Sequence, residues 1–313
     1  MSRPLVERLA IVGAGLIGTS IARAAREKHL AGTIVVADAD EAVCARVREL
    51  GFADIVTESA RAATEGADIV ILCVPVGATG AVAAEVGPAL KEGAILSDVG
   101  SVKGAVLAAM APHVPAHAHL VPAHPVAGTE FSGPDAGFAS LFENRWCIVT
   151  PPEGADAAAV ERIGLLWRAM GANVEVMSAE HHDLVLAITS HVPHLIAYNI
   201  VGTAAHLEET LTSEVIKFSA GGFRDFTRIA ASDPTMWRDV FLANREAVLE
   251  MLGRFTEDLS QLQRAIRYGD GDALFDHFTR TRAIRRSIIE QGQETPAPDF
   301  GRRAVEKQKH EES

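Results

Sequence analysis

Residues 9–18 read LAIVGAGLIG, a short apolar run ending in Gly13, Gly15 and Gly18 at the spacing of a dinucleotide-binding turn. Such a stretch fits a buried parallel strand that passes through a tight turn into a helix whose first N–H groups can hold a pyrophosphate. Gly13 permits the turn, Gly15 lets a phosphate approach the backbone, and Gly18 lets helix and strand pack closely. Leu16 and Ile17, which open the helix, are counted with the glycines among the cofactor contacts, and so are Val74 in a later apolar run and Ser101. The bland alternative is a structural turn beside a solvated acidic loop. Asp38 weighs against it, because it closes a second apolar run, 33–37, twenty residues after Gly18, where a carboxylate can accept bonds from a ribose diol. Ala39, Asp40 and Glu41 follow, with no Arg or Lys beside them. A 2′-phosphate would meet negative charge there, so the expected cofactor is NAD rather than NADP.

Further strand-like runs at 68–76, 94–98 and 120–123 alternate with helical patterns, the mark of a doubly wound parallel sheet. Runs at 147–150 and 173–177, around an amphipathic stretch at 157–170, are expected to complete it. Strand signal then stops. The reading is α/β: a Rossmann-like domain over 1–178, an all-helical domain over 179–291, and a polar, Pro-containing tail over 292–313 with a disordered composition. The helical part carries an apolar stripe, Leu252, Phe255, Leu259, Leu262 and Ile266, spaced three and four apart. Such a stripe is a core or subunit seam, too short for an independent coiled coil. After Gly269-Asp270-Gly271 a second helix is expected, with Asp272 as its N-cap.

With 313 residues and 48% hydrophobic content the chain can bury a large core. A formal charge of −12 argues against nucleic acid or an anionic membrane as the main partner. No uninterrupted apolar run reaches about 18 residues and the first residues lack a signal-peptide pattern, so the expected location is cytoplasmic. Cys44, Cys73 and Cys147 are odd in number and widely spaced, a pattern of core thiols rather than of disulfides or a zinc knuckle.

Open parallel sheets take ligands at the carboxyl ends of their strands. Two segments fall there: 97–103, SDVGSVK, with Ser101 in a glycine turn, and 124–130, HPVAGTE, with His124 fixed by a proline. A neutral imidazole suits proton removal from an alcohol as hydride leaves the same carbon, and Ser101 can orient it or bind the same oxygen. In the helical half, His181-His182-Asp183 begins an apolar helix that runs to Ser190-His191-Val192-Pro193-His194. His191 and His194 share a face, and Pro193 frees the Thr189 carbonyl, so a kink is expected beside them. A zinc reading of the two histidines lacks a third ligand, and a bent structural interface is the plainer alternative. Finally 221–228, GGFRDFTR, places Arg224 and Arg228 at helical spacing ahead of SDPTMW at 232–237. The two guanidinium groups can supply the cations that an anionic substrate needs on an acidic chain, the alternative being a surface ion-pair network with Trp237 as core.

Taken together and in this order, the glycine turn, Gly100-Ser101-Val102-Lys103, HPVAGTE, SHVPH and GGFRDFTRIAASDPTMW resemble the prephenate and arogenate dehydrogenases of tyrosine biosynthesis over roughly residues 8–290. The resemblance implies a nucleotide-binding domain, a helical domain that forms a homodimer, and an active site between them. It matches His124 to the catalytic histidine and Ser101 to its serine partner. It matches His194 and His191 to the substrate-side and cofactor-side histidines, and Arg228 to the arginine that binds a substrate carboxylate. Thr129 and Glu130 match polar residues at the mouth of the site, and Arg224 is counted among the substrate contacts. No metal is implied. Two rival readings are a β-hydroxyacid dehydrogenase and a non-catalytic dinucleotide sensor. The first typically places a catalytic lysine on the first interdomain helix, and no lysine stands between Lys103 and Lys217. The second leaves His124, Ser101 and the cationic segment without a purpose.

Overall fold

The computed structural model of the chain describes residues 4–129, 131–211 and 220–290. Residues 9–12 are apolar at every position and all are buried, as in a strand covered on both faces. They belong to β1 (Val6–Val12), which with β2 (Ala31–Ala37), β3 (Ile55–Thr57), β4 (Ile69–Leu72), β5 (Ile95–Asp98) and β6 (His119–Leu120) forms a six-stranded sheet in the order β3-β2-β1-β4-β5-β6. Every pairing is parallel. Because side chains alternate along a strand, Leu9 and Ile11 enter one apolar cluster, while Ala10 and Val12 enter another on the opposite face. Helices α1 (Leu16–Glu27), α2 (Glu41–Leu50), α3 (Ala60–Thr64), α4 (Thr79–Val86) and α5 (Lys103–Met110) make the connections. Strand order reverses between β1 and β4, so the crevice for a ligand opens at their carboxyl ends, beside Gly13 and Cys73. The expected Rossmann-like sheet is present.

Its expected completion is not. The ladder to β5 ends at Val121, whose N–H donates to Leu96 O at 2.9 Å, because the next N–H on that side, from Ala123, goes to the Asp98 carboxylate. The Pro122 carbonyl instead accepts from Thr150 N at 2.9 Å. The run at 120–123 is thereby split, and β7 (Ala123–Pro125) opens a second sheet with β8 (Trp146–Val149) antiparallel and β9 (Asn173–Val176) parallel to β8. The runs at 147–150 and 173–177 thus build a separate three-stranded sheet. Between them α6 (Ala157–Ala169) buries Ile163, Leu166 and Trp167.

From Ala179 the described chain is helical: α7 (Ala179–Leu186), a π-helical turn (Ala187–His191), α8 (Val192–Leu211), α9 (Gly221–Thr227), α10 (Pro234–Ala243), α11 (Arg245–Tyr268) and α12 (Gly271–Glu290). The stripe lies on α11, where Leu259 is 51% and Ile266 67% exposed in the single chain. Asp270, not Asp272, caps α12: its carboxylate accepts from Ala273 N at 3.0 Å, and Gly269 takes a positive φ of 69° to end α11 one residue earlier. Contacts divide the chain into a unit up to Leu252 and another from Gly253. The tail over 292–313 lies outside the described residues. Among the described residues one continuous stretch, 179–207, is by length and composition apolar enough to cross a membrane. That corrects the expectation of no such segment, which looked for unbroken apolar runs and stopped at the histidines. Those same polar residues, His182, Asp183 and His191, are buried here among protein partners.

Candidate active site

The three glycines of the first turn differ in what surrounds them. At Gly13, φ is +104° and an added Cβ would run into the Cys73 carbonyl of the neighbouring strand. At Gly18 it would overlap the Gly13 carbonyl, while at Gly15 it would meet nothing within 4 Å. Two glycines are therefore required by packing, and the middle one faces open space at the N-terminus of α1, where a pyrophosphate is held in such folds. Asp38 stands at the end of β2, one carboxylate oxygen accepting from Ala14 N of this turn at 2.8 Å and the other from Asp40 N at 3.0 Å. These residues fit a dinucleotide. Val74, half-buried, follows β4 across the crevice.

Next to the crevice, the turn after β5 is anchored by a fully buried ion pair. Lys103 Nζ donates to Asp98 Oδ2 at 2.5 Å and to the Ala123 carbonyl at 2.7 Å, and Asp98 Oδ2 also accepts from Gly100 N at 2.7 Å. Burial pushes the Asp98 carboxyl up and the Lys103 ammonium down, and their mutual contact opposes both. The pair ties the turn that carries Ser101 to the residue preceding His124. Sequence reading placed both in the 97–103 segment without giving either a role.

His124 sits in β7 opposite Ile148 and is 8% exposed. Its Nδ1 lies 2.8 Å from His182 Nε2, and His182 Nδ1 lies 2.8 Å from Asp183 Oδ1. Asp183 in turn accepts from Lys103 N at 2.7 Å and Gly104 N at 2.8 Å, capping α5 from another helix. Asn244 Nδ2 donates to the Asp183 carbonyl at 2.8 Å and stands 3.1 Å from His191 Nδ1. Burial lowers His124 well below the ordinary histidine value, with His182 adding to the effect. It also lowers His182, against the pull of Asp183. Asp183 is held low, its hydrogen bonds from His182 and α5 outweighing its burial. Sequence reading named the His181-His182-Asp183 run without giving it a role. An aspartate directly after a histidine at a helix start was the available signal.

His191 is fully buried with its pKa lowered to about 4 by burial, and among the described residues its Nε2 has no well-formed hydrogen bond, although the Ser101 backbone bears on the ring. His194 Nδ1 donates to the Ser190 carbonyl at 2.8 Å, and its ring stacks on Trp237 with centroids 3.6 Å apart. Burial, and to a lesser degree Arg228, lowers its pKa. The expected distortion before Pro193 takes the form of the π-helical turn, a feature that recurs where helices carry function. Arg228 follows α9 in a 3₁₀ turn and is half-buried, whereas Arg224 is exposed. Thr129 is half-buried, with Oγ1 accepting from Phe131 N at 3.3 Å. Glu130 lies outside the described residues. Among the described residues no three His, Cys, Asp or Glu side chains are grouped to hold a metal ion.

A glycine turn shaped for a dinucleotide, beside buried neutral imidazoles at the carboxyl edge of a doubly wound sheet, defines an NAD-dependent dehydrogenase. Family models described as the nucleotide-binding domain and the dimerization domain of prephenate dehydrogenase match residues 21–176 and 178–280. The chain is 44% identical over 282 residues to cyclohexadienyl dehydrogenase of Zymomonas mobilis, covering 90% of this chain and 96% of that one. It is 33% identical to prephenate dehydrogenase of Bacillus subtilis, covering 90% and 76% of the two chains. The fold is shared with crystalline prephenate dehydrogenase from Aquifex aeolicus in complex with hydroxyphenyl propionate and NAD+, at a TM-score of 0.84 and 33% identity, covering 92% of this chain and 99% of that one. The chain belongs to the prephenate dehydrogenase family.

Proposed function

We propose that the chain catalyses the NAD-dependent oxidative decarboxylation of prephenate, of arogenate, or of both, in tyrosine biosynthesis, with His124 as the general base. The carrying observation is His124 itself: a buried imidazole kept neutral at the mouth of the dinucleotide crevice, on a strand pinned by Lys103. When bound, NAD accepts hydride from C4 of the substrate ring, and Gly13, Gly15, Leu16, Ile17, Gly18, Asp38, Val74 and Ser101 are the residues that would hold it. As C4 gives up hydride, the C4 hydroxyl proton passes to His124 with Ser101 beside it, leaving a carbonyl conjugated to the carbon that bears the ring carboxylate. Loss of carbon dioxide sends the C1 electron pair through the ring to that oxygen, which can take the same proton back from His124 as the phenol forms. His124 thus borrows a proton and returns it, and a site closed to water is no obstacle.

Arg228 is assigned to a substrate carboxylate, His194 to the substrate and His191 to the cofactor side. Thr129 and Glu130 belong to the mouth and Arg224 to the periphery. The Ser101 backbone and the Asp183 carboxylate both act on the His191 ring, which supports a place for it between the two ligands. The domain limits 1–178 and 179–291 belong to the same proposal, supported by the junction of the family models between 176 and 178. So does a homodimer through the helical region, for which the exposed stripe of α11 is the support, and a cytoplasmic location.

The test is a paired rate measurement with prephenate and L-arogenate, each with NAD and with NADP. Reduction of NAD with at least one of the two acids is expected. No turnover of either with either cofactor would return the chain to the sensor reading, and faster turnover with NADP would overturn the role given to Asp38.

A further inference from the structure

Beyond the base itself, the structure orders the protons behind it. Asp183 is an acceptor only, because both its oxygens already receive backbone N–H groups from α5 and its pKa is held low. The atom of His182 that faces it, Nδ1, must therefore carry hydrogen. Burial disfavours a second proton on His182, so its Nε2 is a bare lone pair, and Nε2 is what faces His124 Nδ1 at 2.8 Å. Two bare nitrogens would repel at that distance, so His124 carries its hydrogen on Nδ1. A neutral imidazole has one N–H, which leaves His124 Nε2 without one. The contacts that set this order span 58 and 80 residues of chain and are buried.

We propose that His182, oriented by Asp183, is a positioning residue for this reaction: it accepts the Nδ1 hydrogen of His124 and so leaves the His124 Nε2 lone pair for the C4 hydroxyl proton. The proposal rests on the reading of His124 as the base. When that proton arrives, the bond formed is His124 Nε2–H and the bond broken is the substrate O–H. The resulting imidazolium still donates from Nδ1 to His182, whose other side is backed by the Asp183 carboxylate. Charge arising at a buried position is thereby stabilised by groups that were in place before it arose. His182 touches neither substrate nor cofactor in this scheme and acts through His124 alone. Asn244, by holding the Asp183 carbonyl at 2.8 Å, fixes the backbone from which the carboxylate reaches.

Two measurements test it on the full-length enzyme with NAD bound. The first is the long-range imidazole proton–nitrogen spectrum of protein labelled in histidine, with the His124 signals assigned by their loss in His124→Asn. At neutral pH the expected pattern is Nδ1 protonated and Nε2 bare. A His124 proton on Nε2 would overturn the proposal, because it would mean that His182 is the imidazolium and donates to His124. This spectrum is recorded on the native protein and does not depend on any variant at position 182 folding.

The second is kinetic. His182→Leu removes the acceptor and is expected to lower kcat by about 10²-fold or more, the order of loss when a catalytic imidazole is released into the wrong tautomer. His182→Gln keeps a carbonyl for His124 and an amide N–H for Asp183, and is expected to recover kcat to within about tenfold of the native enzyme. Both variants should bind NAD as the native enzyme does. A His182→Leu enzyme with native kcat, or a folded His182→Gln enzyme as slow as His182→Leu, would overturn the assignment. The His124 reading fails separately, by substantial turnover in His124→Asn whatever His182 does.

Discussion

His194 lies flat on Trp237, ring centroids 3.6 Å apart and planes 24° from parallel, while His191 meets the same indole edge-on at 6.0 Å. One buried side chain of α10, 6% exposed, therefore sets the attitude of both imidazoles on the opposing helix. Trp237 also packs with Val102 and Val240, joining the turn after β5 to the helical region.

Replacing this indole removes packing and orientation together. Trp237→Ala is expected to cost about 3–5 kcal/mol of stability, the usual range for a large buried aromatic, read from urea unfolding. Trp237→Phe keeps a face for His194 and should leave KM within a few-fold of native. A Trp237→Ala protein as stable as native would show that the stack is incidental.

What the sequence disclosed and what it concealed divide by the range of the contact. Gly13 and Gly18 were legible because a backbone constraint is written into the residues that bear it. The strand pattern was legible because burial on both faces leaves runs of apolar residues at 9–12 and 69–72. The split after Val121 was concealed, and the apolar run at 120–123 was taken as one strand, because the Ala123 N–H leaves the ladder for the distant Asp98 carboxylate. Lys103, His182 and Asn244 were concealed, because each works through a partner 20 to 61 residues away. The ion-pair partner of Lys103, Asp98, is only five residues away, but nothing in the 97–103 segment marks either side chain as buried.

The glycines make separable predictions. Gly18→Ala must push a methyl into the Gly13 carbonyl, so both melting temperature and NAD affinity should fall. At Gly15 an added methyl meets nothing within 4 Å, so Gly15→Ala should change unfolding free energy by no more than about 0.5 kcal/mol. It should nonetheless weaken NAD at least tenfold, by calorimetric titration, because the methyl occupies the space the phosphate needs. Native NAD affinity in Gly15→Ala would move the phosphate elsewhere.

The buried pair of Lys103 and Asp98 is expected to behave asymmetrically. Lys103→Met strands a carboxylate that is 1% exposed, at a cost of about 3–5 kcal/mol. Adding Asp98→Asn removes the stranded charge and should restore much of that stability, since a matched neutral pair carries no uncompensated ion. Denaturant midpoints of the two single variants and the double variant decide it. A double variant less stable than Lys103→Met would mean that Asp98 has a further charged partner.

The pH profile carries the sign of the His124 shift. The working form of a base is the neutral one, and burial lowers the His124 pKa well below the ordinary value near 6.5. Lowering the pKa keeps the imidazole neutral further into acid. The rate at saturating substrate should therefore be flat through neutrality and fall only as pH drops through a midpoint below about 6.5. His124→Asn should lower kcat by about two to four decades and abolish that acid limb, with NAD affinity little changed. A midpoint above 7 would require an anion near the ring strong enough to reverse the effect of burial.

Arg228 makes the most specific claim on the substrate. Burial, and to a lesser degree Arg228, lowers the His194 pKa, and the resemblance assigns both residues to the substrate, Arg228 to a carboxylate. Binding this carboxylate aids the reaction only up to a point. The ring carboxylate is the group that leaves as carbon dioxide, and a contact that stabilised the anion more in the ground state than in the transition state would slow its loss. Arg228→Ala should then raise KM by about 10- to 100-fold, the equivalent of one charge-assisted hydrogen-bonded contact of about 1.5–3 kcal/mol. The accompanying loss in kcat should be smaller. Arg228→Lys, which keeps charge but not the planar fork, should fall between the two. An unchanged KM in Arg228→Ala would remove the residue from substrate binding. A kcat that fell as far as kcat/KM would place it in the transition state instead.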